Sequence, residues 1–230
     1  MKKNYKFKGV VFDFDGVLGD TEILQYKKWN ILLKPFGIFI SEEEYIKEYC
    51  GKSSSTEIPK LLKQKYPQIK MSEKEIAENA AKILKDLFKK EAKLMPNSLD
   101  AIKFFKENGF KIAICSGKNQ EELEMKLSSV GLSDFFSKEH RVTESDAGFA
   151  KPHPAMYELA VKKLGLKPNE CIAFEDTYAG IVSAKGAGLF VIALPNKFTI
   201  NQDLSKADIV IKGGWPELLK DPFSFLSKFF

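Results

Sequence analysis

The sequence predicts an α/β protein in which a doubly wound parallel sheet, a Rossmann-like core, carries an inserted all-helical cap. Two observations predict this fold. Short, continuous apolar runs alternate with helical patterns, which is typical of parallel strands that helices cover on both faces. In addition, one stretch of about seventy residues contains helical patterns and no convincing strand, which is too long for an ordinary crossover between strands.

Five apolar runs are the expected strands. The first run, residues 8–13, reads KGVVFD, with its apolar residues bounded by polar ones. An apolar run without polar alternation suits a strand that is buried on both faces. The later runs occupy residues 111–115, 171–174, 189–193 and 208–211.

Helical patterns separate these runs. They cover residues 99–108, 121–130 and 154–164, and a glycine follows each of them. Glycine is favoured just past a helix because it accepts a left-handed backbone, so Gly109, Gly131 and Gly165 mark the expected helix ends. The alternation of strands and helices predicts a doubly wound sheet.

The stretch from residue 21 to residue 93 is the expected helical cap. Its helical patterns cover residues 21–33, 41–49, 53–65 and 72–90. Ser41 with Glu44, and Ser72 with Glu75, fit the capping box that starts a helix. The core then consists of residues 1–20 and 94–230, and its Phe-rich tail, residues 222–230, is expected to form a short helix.

Composition and charge exclude several classes of protein. Of the 230 residues, 44% are hydrophobic and 29% are charged, which excludes a disordered, fibrous or disulfide-stapled chain. The formal charge of +5 comes from lysines spread along the chain, so we expect no nucleic-acid partner. Three cysteines and two histidines, without a C-x-x-C pair, predict neither a disulfide framework nor a zinc site. Because no apolar run suits a signal peptide or a membrane span, we expect a cytoplasmic protein without membrane association.

Two pairs of acidic residues follow predicted strands directly. Asp13 and Asp15 come after the first strand, and Glu175 and Asp176 come after the third. Open α/β sheets bind ligands at the carboxyl ends of their strands, and grouped carboxylates repel one another unless a cation is present. Oxygen ligands of this kind suit Mg²⁺. The competing interpretation is that the aspartates lie in solvated turns and that the second pair only caps the following helix.

Two further segments carry polar residues that could contact phosphate. Residues 115–118 read CSGK at the end of a predicted strand, where the Ser116 hydroxyl and the backbone N–H groups near Gly117 could cradle phosphate oxygens. Residues 150–154 read AKPHP and place Lys151 ahead of a predicted helix. Neither segment by itself is strong evidence for phosphate binding, because Ser-Gly turns and surface lysines are common. Their order along the chain is more informative.

That order resembles the haloacid dehalogenase superfamily. The motif DFDGVL at residues 13–18, a helical insert, a strand ending in serine, a Lys-Pro-x-Pro segment and a Glu-Asp pair follow one another as they do in that family. The resemblance covers essentially the whole chain. It is strongest to the branch of β-phosphoglucomutase and phosphoglycolate phosphatase, whose helical cap is inserted after the first motif.

The resemblance implies a role for each motif residue. Asp13 is the nucleophile, Asp15 is the general acid and base, and Ser116 and Lys151 hold the transferring phosphoryl group. The implied ligands of a Mg²⁺ cofactor are Asp13, the Asp15 carbonyl, Glu175 and Asp176. Asp13 would form an aspartyl phosphate, and Asp15 would give a proton to the leaving group before taking one from water. Dehalogenating and phosphonate-cleaving relatives lack the second aspartate, so Asp15 disfavours both activities.

The preferred interpretation is a Mg²⁺-dependent phosphatase, a phosphoric monoester hydrolase that acts on a small phosphorylated metabolite such as a sugar, polyol or short acid phosphate. The alternative is a phosphosugar mutase similar to β-phosphoglucomutase. Such mutases use a cap histidine and a cap arginine at positions that here hold the uncharged Gln25 and Ser54. Gln25 and Lys52, which lies in a polar break between two cap helices, are the candidate specificity residues. A catalytically idle binding protein is a third possibility, and we expect a monomer.

Overall fold

The computed structural model describes residues 6–117, 119–222 and 224. The chain divides into two compact units: an α/β unit of Met1–Asp20 and Lys93–Phe230, and a helical unit of Thr21–Ala92. Most of the tail helix expected over residues 222–230 lies outside the described residues. Within the part of the chain that is described, no helix combines the length and the apolar character needed to cross a bilayer.

Four α-helices make up most of the helical unit, all of whose residues are described. They are α1 (Glu22–Leu33), α2 (Glu42–Glu48), α3 (Glu57–Lys65) and α4 (Glu73–Glu91). The capping box predicted for α4 is present, since Ser72 and Glu75 each bind the backbone N–H of the other. At α2, Ser41 Oγ accepts from the Glu44 N–H, but the Glu44 carboxylate accepts from Lys65.

One parallel sheet forms the centre of the α/β unit. Its strands among the described residues are β1 (Gly9–Phe12), β2 (Lys111–Cys115), β3 (Arg141–Val142), β4 (Cys171–Glu175), β5 (Phe190–Ala193) and β6 (Ile209–Val210). They lie in the order β3-β2-β1-β4-β5-β6, and every pair is parallel. The predicted doubly wound sheet is confirmed. Strand β3 is not predicted from the sequence, because one of its two residues is the charged Arg141 and so it shows no apolar run.

Helices connect these strands. They are α5 (Ser98–Glu107), α6 (Gln120–Ser129), α7 (Glu144–Ala147), α8 (Ala155–Leu164), α9 (Tyr178–Gly186) and α10 (Gly214–Leu218). The three glycines predicted to follow helices α5, α6 and α8 all adopt a left-handed backbone, with φ of 81° at Gly109, 73° at Gly131 and 65° at Gly165.

The apolar core covers both faces of the sheet. On one face Val11 packs in a cluster with buried residues of α8 and α9. On the other face Phe12 stacks on Phe174 with ring centroids 5.7 Å apart, and it also meets Phe105 of α5 and Trp215 of α10. Burial on both faces is the reason that β1 reads as a continuous apolar run.

The sheet changes direction beside β1, its central strand. Phe12 is level with Ile114 of β2 and with Phe174 of β4, so these strands approach the same edge of the sheet. From β1 the chain first builds β2 and β3 on one side and then β4, β5 and β6 on the other. The crevice at such a reversal is where open α/β sheets bind ligands.

Candidate active site

The turn after β1 places Asp13 at this reversal point. The Asp13 N–H donates to the Phe174 carbonyl at 3.0 Å, which extends the pairing of β1 with β4 by one residue. Gly16 in the same turn has φ of +76°, and a Cβ atom there would lie 2.1 Å from Asp176 Oδ2. Glycine is therefore required at this position, for the left-handed backbone and for the room beside Asp176.

Asp13 is buried, with 7% of its surface exposed, so it is not a solvated turn residue. Burial raises the pKa of Asp13 to about 7, while the Lys151 ammonium acts in the opposite direction and the charge of Glu175 acts in the same one. A nearby cation favours the charged form of a carboxyl group. The anionic form of Asp13 therefore depends on the cations that the site holds.

Lys151 follows α7 and reaches Asp13 and Glu175 together. Its Nζ lies 2.5 Å from Asp13 Oδ1, 2.6 Å from Glu175 Oε1 and 3.1 Å from the Cys115 carbonyl oxygen at the end of β2. Burial by itself would lower the pKa of Lys151, but the carboxylates of Asp13 and Glu175 raise it above its ordinary value. Lys151 is therefore a fixed ammonium at the carboxyl ends of β1, β2 and β4.

Glu175 is the last residue of β4 and is completely buried. Its Oε1 accepts from Lys151 and from the Tyr157 hydroxyl at 2.7 Å. Its Oε2 accepts from the Asp176 N–H at 3.1 Å and from the Thr177 hydroxyl at 3.3 Å. These donors hold the carboxylate in one orientation, which offsets the cost of burying it.

The start of α9 explains why Asp176 faces the site. Thr177 is the N-cap of α9, because its Oγ1 accepts from the Gly180 N–H at 3.1 Å. Asp176 is thus not the cap, which removes the competing interpretation of this residue. Its Oδ2 accepts instead from the Asn196 amide at 2.8 Å. A Cβ atom at Gly180 would lie 1.9 Å from Glu175 Oε1, so this glycine makes room for the site.

Asp13, Glu175 and Asp176 form a cluster that could hold a metal ion. One carboxylate oxygen of each residue lies within 4.8 Å of the others, and all three residues are buried. Three buried carboxylates beside the Lys151 ammonium leave an excess of negative charge among the described groups of the cluster if all of them are ionised, and a divalent cation would offset it. The all-oxygen donor set fits Mg²⁺.

Asp15 points to a different set of partners. Its Oδ2 accepts from the Ser116 hydroxyl at 3.1 Å and from Lys126 Nζ at 2.5 Å. Ser116 thus lies beside Asp15 rather than in the cluster around Lys151, and Gly117 follows it with φ of +78°. Lys126 is not predicted from the sequence as a site residue, because a single lysine in a helical pattern is usually solvated. In the structure Lys126 is only 3% exposed.

The helical unit contains a second cation that the sequence analysis misses. Lys28 of α1 is 1% exposed, and its ammonium donates to Gln25 Oε1 and, at 2.8 Å, to Ser54 Oγ. Gln25 and Ser54, which are far apart in the sequence, therefore both accept from one buried lysine. Lys52, the predicted specificity residue, is exposed, and its backbone N–H donates to the Tyr49 carbonyl at 3.1 Å.

Comparison with known proteins identifies the family. The sequence profile of the haloacid dehalogenase-like hydrolases matches residues 10–194. The chain belongs to this family. The matched segment includes all four motifs and the helical unit, so the resemblance predicted from the motif order is confirmed.

Three relatives illustrate the match. YhcW of Bacillus subtilis is 30% identical over 208 residues, which is 84% of this chain and 85% of the relative. The phosphorylated carbohydrates phosphatase of Thermotoga maritima is 27% identical over 184 residues, which is 79% of this chain and 82% of the relative. The crystal structure of CbbY from Rhodobacter sphaeroides in complex with phosphate is 25% identical, with a TM-score of 0.78 over 92% of this chain and 96% of that one.

Proposed function

We propose that this haloacid dehalogenase-like hydrolase is a Mg²⁺-dependent phosphatase of a small phosphorylated metabolite, such as a sugar, polyol or short acid phosphate. The observation that carries the proposal is the buried cluster in which Lys151 Nζ lies 2.5 Å from Asp13, beside Glu175 and Asp176. The family match and the similarity to a phosphatase of phosphorylated carbohydrates support the hydrolysis of small phosphoric monoesters.

The proposed reaction has two steps, and Asp13 and Asp15 act in both. Asp13 attacks phosphorus, the bond between phosphorus and the leaving oxygen breaks, and Asp15, which enters this step in its protonated form, gives that oxygen its proton. Water then attacks the phosphoryl group on Asp13 while Asp15 takes a proton from it. This second step releases inorganic phosphate and restores the Asp13 carboxylate.

The remaining site residues offset negative charge on the phosphoryl group. Lys151 brings a permanent ammonium to Asp13, and the Ser116 hydroxyl and the backbone at Gly117 are the proposed phosphate donors after β2. We assign Mg²⁺ to Asp13, Glu175, Asp176 and the Asp15 carbonyl. When bound, Mg²⁺ would supply further positive charge to the phosphoryl oxygens.

Substrate choice is assigned to the helical unit. The sequence analysis proposes Gln25 and Lys52 for this role, and the contacts within the unit add Lys28. Its ammonium binds both Gln25 and Ser54, and it could bind a second anionic group or a hydroxyl-rich part of the metabolite in their place. An anionic group of the substrate bound to this buried ammonium would gain electrostatic energy from the low local dielectric.

The Lys28 contacts also bear on the alternative of a phosphosugar mutase. Although Gln25 and Ser54 are uncharged, the Lys28 ammonium binds both side chains and brings a positive charge to them, as a mutase would need. The preference for a phosphatase over a mutase therefore depends on the similarity of this chain to its relatives. The mutase therefore needs a direct assay.

The test is a screen for phosphate release from phosphorylated sugars, polyols, short acids and nucleotides, with added Mg²⁺ and with EDTA. We expect Mg²⁺-dependent release from at least one class, with no need for a bisphosphate activator. In parallel, β-glucose 1-phosphate with catalytic glucose 1,6-bisphosphate is followed for glucose 6-phosphate and free phosphate. Rapid isomerisation with negligible phosphate release would identify a mutase instead.

A further inference from the structure

Lys126 is a buried lysine in α6 that contacts the proposed general acid and base. Its side chain is 4% exposed, and its Nζ lies 2.5 Å from Asp15 Oδ2 and 3.1 Å from Glu122 Oε1. Transferring an ammonium from water into a protein interior is costly unless it is paired. Burial by itself would lower the pKa of Lys126, but the charges of Asp15 and Glu122 raise it above its ordinary value.

The two ends of this ion pair differ in how firmly the backbone holds them. Lys126 lies within α6, whose N-terminus is capped by Asn119 Oδ1 accepting from the Glu122 N–H at 2.9 Å. Asp15 lies in the turn after β1, and its side chain is 30% exposed. A short carboxylate side chain at such a place can rotate unless its neighbours fix it. Lys126 from α6 and the Ser116 hydroxyl, which follows β2, both donate to the same oxygen, Oδ2, and so fix the carboxylate from two elements.

Another buried cation in contact with α6 provides a comparison. Arg141 of β3 is ion-paired with Glu124 of α6 and also donates to the Phe136 carbonyl at 3.0 Å and the Ser133 carbonyl at 2.7 Å. Arg141 therefore joins backbone segments to one another, as a structural cation does. Lys126 binds an acidic side chain of the site instead.

We propose that Lys126 is a positioning residue for Asp15: by donating to Oδ2 in both the protonated and the ionised state of Asp15, it holds the carboxyl group in the direction needed for proton transfer to the leaving oxygen and from water. The proposal rests on the proposed function, since it needs Asp15 as the acid and base. Lys126 acts through Asp15, and we assign it no contact with the substrate.

The test compares two substrates of the wild-type enzyme and of Lys126→Met. One is the alkyl phosphate that the wild-type protein hydrolyses fastest, and the other is 4-nitrophenyl phosphate, whose leaving group needs little protonation. The value of kcat/KM reports the step in which the leaving group departs. We expect kcat/KM to fall about 10²-fold for the alkyl phosphate and far less for the aryl phosphate. KM for both substrates should change little.

Two further variants show whether Lys126 acts through Asp15. The double variant Lys126→Met with Asp15→Asn should be no slower than Asp15→Asn alone, because the group to be positioned is already absent. Glu124→Gln is the matched control, since it removes the ion pair of α6 with Arg141 and should leave the ratio of the two kcat/KM values unchanged. Thermal unfolding checks that each variant folds, and Lys126→Gln replaces the methionine variant if that one does not.

The outcomes separate the two proposals. If the wild-type enzyme is active but Lys126→Met slows both substrates equally, or slows Asp15→Asn further, the positioning role is wrong and the phosphatase assignment stands. If the wild-type protein releases no phosphate from any ester, both proposals are wrong.

Discussion

At the scale of single residues, burial decides how Asp13 can react. Its carboxylate is held at 2.5 Å by Lys151 and has 7% of its surface exposed. Such a group is protected from bulk water and depends on nearby cations to remain an anion. Asp13 can therefore be tested by a substitution that keeps its shape and removes its charge.

For Asp13→Asn we expect kcat to fall by roughly 10³-fold or more, because an amide cannot form the phosphoryl intermediate. Tm measured without metal should fall little, since the variant also removes one of three clustered acidic groups. The control is Asp100→Asn, which changes an exposed carboxylate at the start of α5. A variant that keeps a tenth of the wild-type turnover would rule out Asp13 as the nucleophile.

Gly180 tests the packing around Glu175. In Gly180→Ala the new methyl group would lie 1.9 Å from the Glu175 carboxylate, so Glu175 or the start of α9 must move. We expect a loss of ~1–3 kcal/mol in the free energy of unfolding, as for other overpacked sites, together with a large loss of phosphatase activity.

Gly186→Ala, in the same helix, is the matched control for this prediction. Its new methyl group would lie 3.3 Å from Pro154 Cβ, which is tight but far less so, and alanine favours the helix by about 1 kcal/mol. Chemical denaturation and phosphate release measure the two effects. Equal activity of the two variants would show that room beside Glu175 is not needed.

At the scale of elements, α1 differs from the other helices of the helical unit by carrying the buried Lys28. Lys28 and Lys52 are competing candidates for the proposed role in specificity. Lys28 is buried beside Gln25 and Ser54, whereas Lys52 is exposed. Their effects on KM can be compared directly.

We expect Lys28→Met to raise KM about tenfold for metabolites with a second anionic group or several hydroxyl groups, because it removes a charged hydrogen-bond donor. Hydrolysis of 4-nitrophenyl phosphate should be almost unchanged. Lys52→Ala is expected to have the same selectivity if Lys52 also contacts the substrate.

Lys74→Met is the control for both lysine variants, since this lysine of α4 has a side chain that is 85% exposed. Steady-state kinetics of each variant with the metabolite and with 4-nitrophenyl phosphate measures the two KM values. If Lys28→Met changes KM equally for the aryl phosphate and for the metabolite, Lys28 does not contribute to substrate specificity.

At the scale of the whole molecule, metal binding at the carboxylate cluster is expected to increase stability. A ligand that binds only the folded state raises the free energy of unfolding by RT ln(1 + [L]/Kd), or about 2.7 kcal/mol at one hundred times Kd. For a chain of 230 residues this corresponds to an increase in Tm of several degrees.

We therefore expect Mg²⁺ to raise the Tm of the wild-type protein and to have little effect on the Tm of Asp176→Asn. Differential scanning fluorimetry after EDTA treatment, followed by a Mg²⁺ titration, measures this without using activity. Asp203→Asn, at an exposed position outside the cluster, is the control. An equal shift in all three proteins would place the Mg²⁺ effect outside the cluster of Asp13, Glu175 and Asp176.

The sequence by itself determined the kind of sheet, all of its described strands except β3, and the family. Continuous apolar runs fix buried parallel strands, and glycines fix helix ends, because both follow from local burial and backbone conformation. The order of four short motifs sufficed to identify the family.

Only the tertiary structure decided which polar groups meet. Lys126 and Asp15 are 111 residues apart in the chain, yet their side chains form an ion pair at 2.5 Å, and no periodicity in α6 distinguishes Lys126 from a solvated lysine. The sequence also gives no sign that Lys28 is buried, since its partner Ser54 is 26 residues away. The cost of burying an ammonium becomes visible only when its partners are in place, because that cost depends on contacts between distant segments.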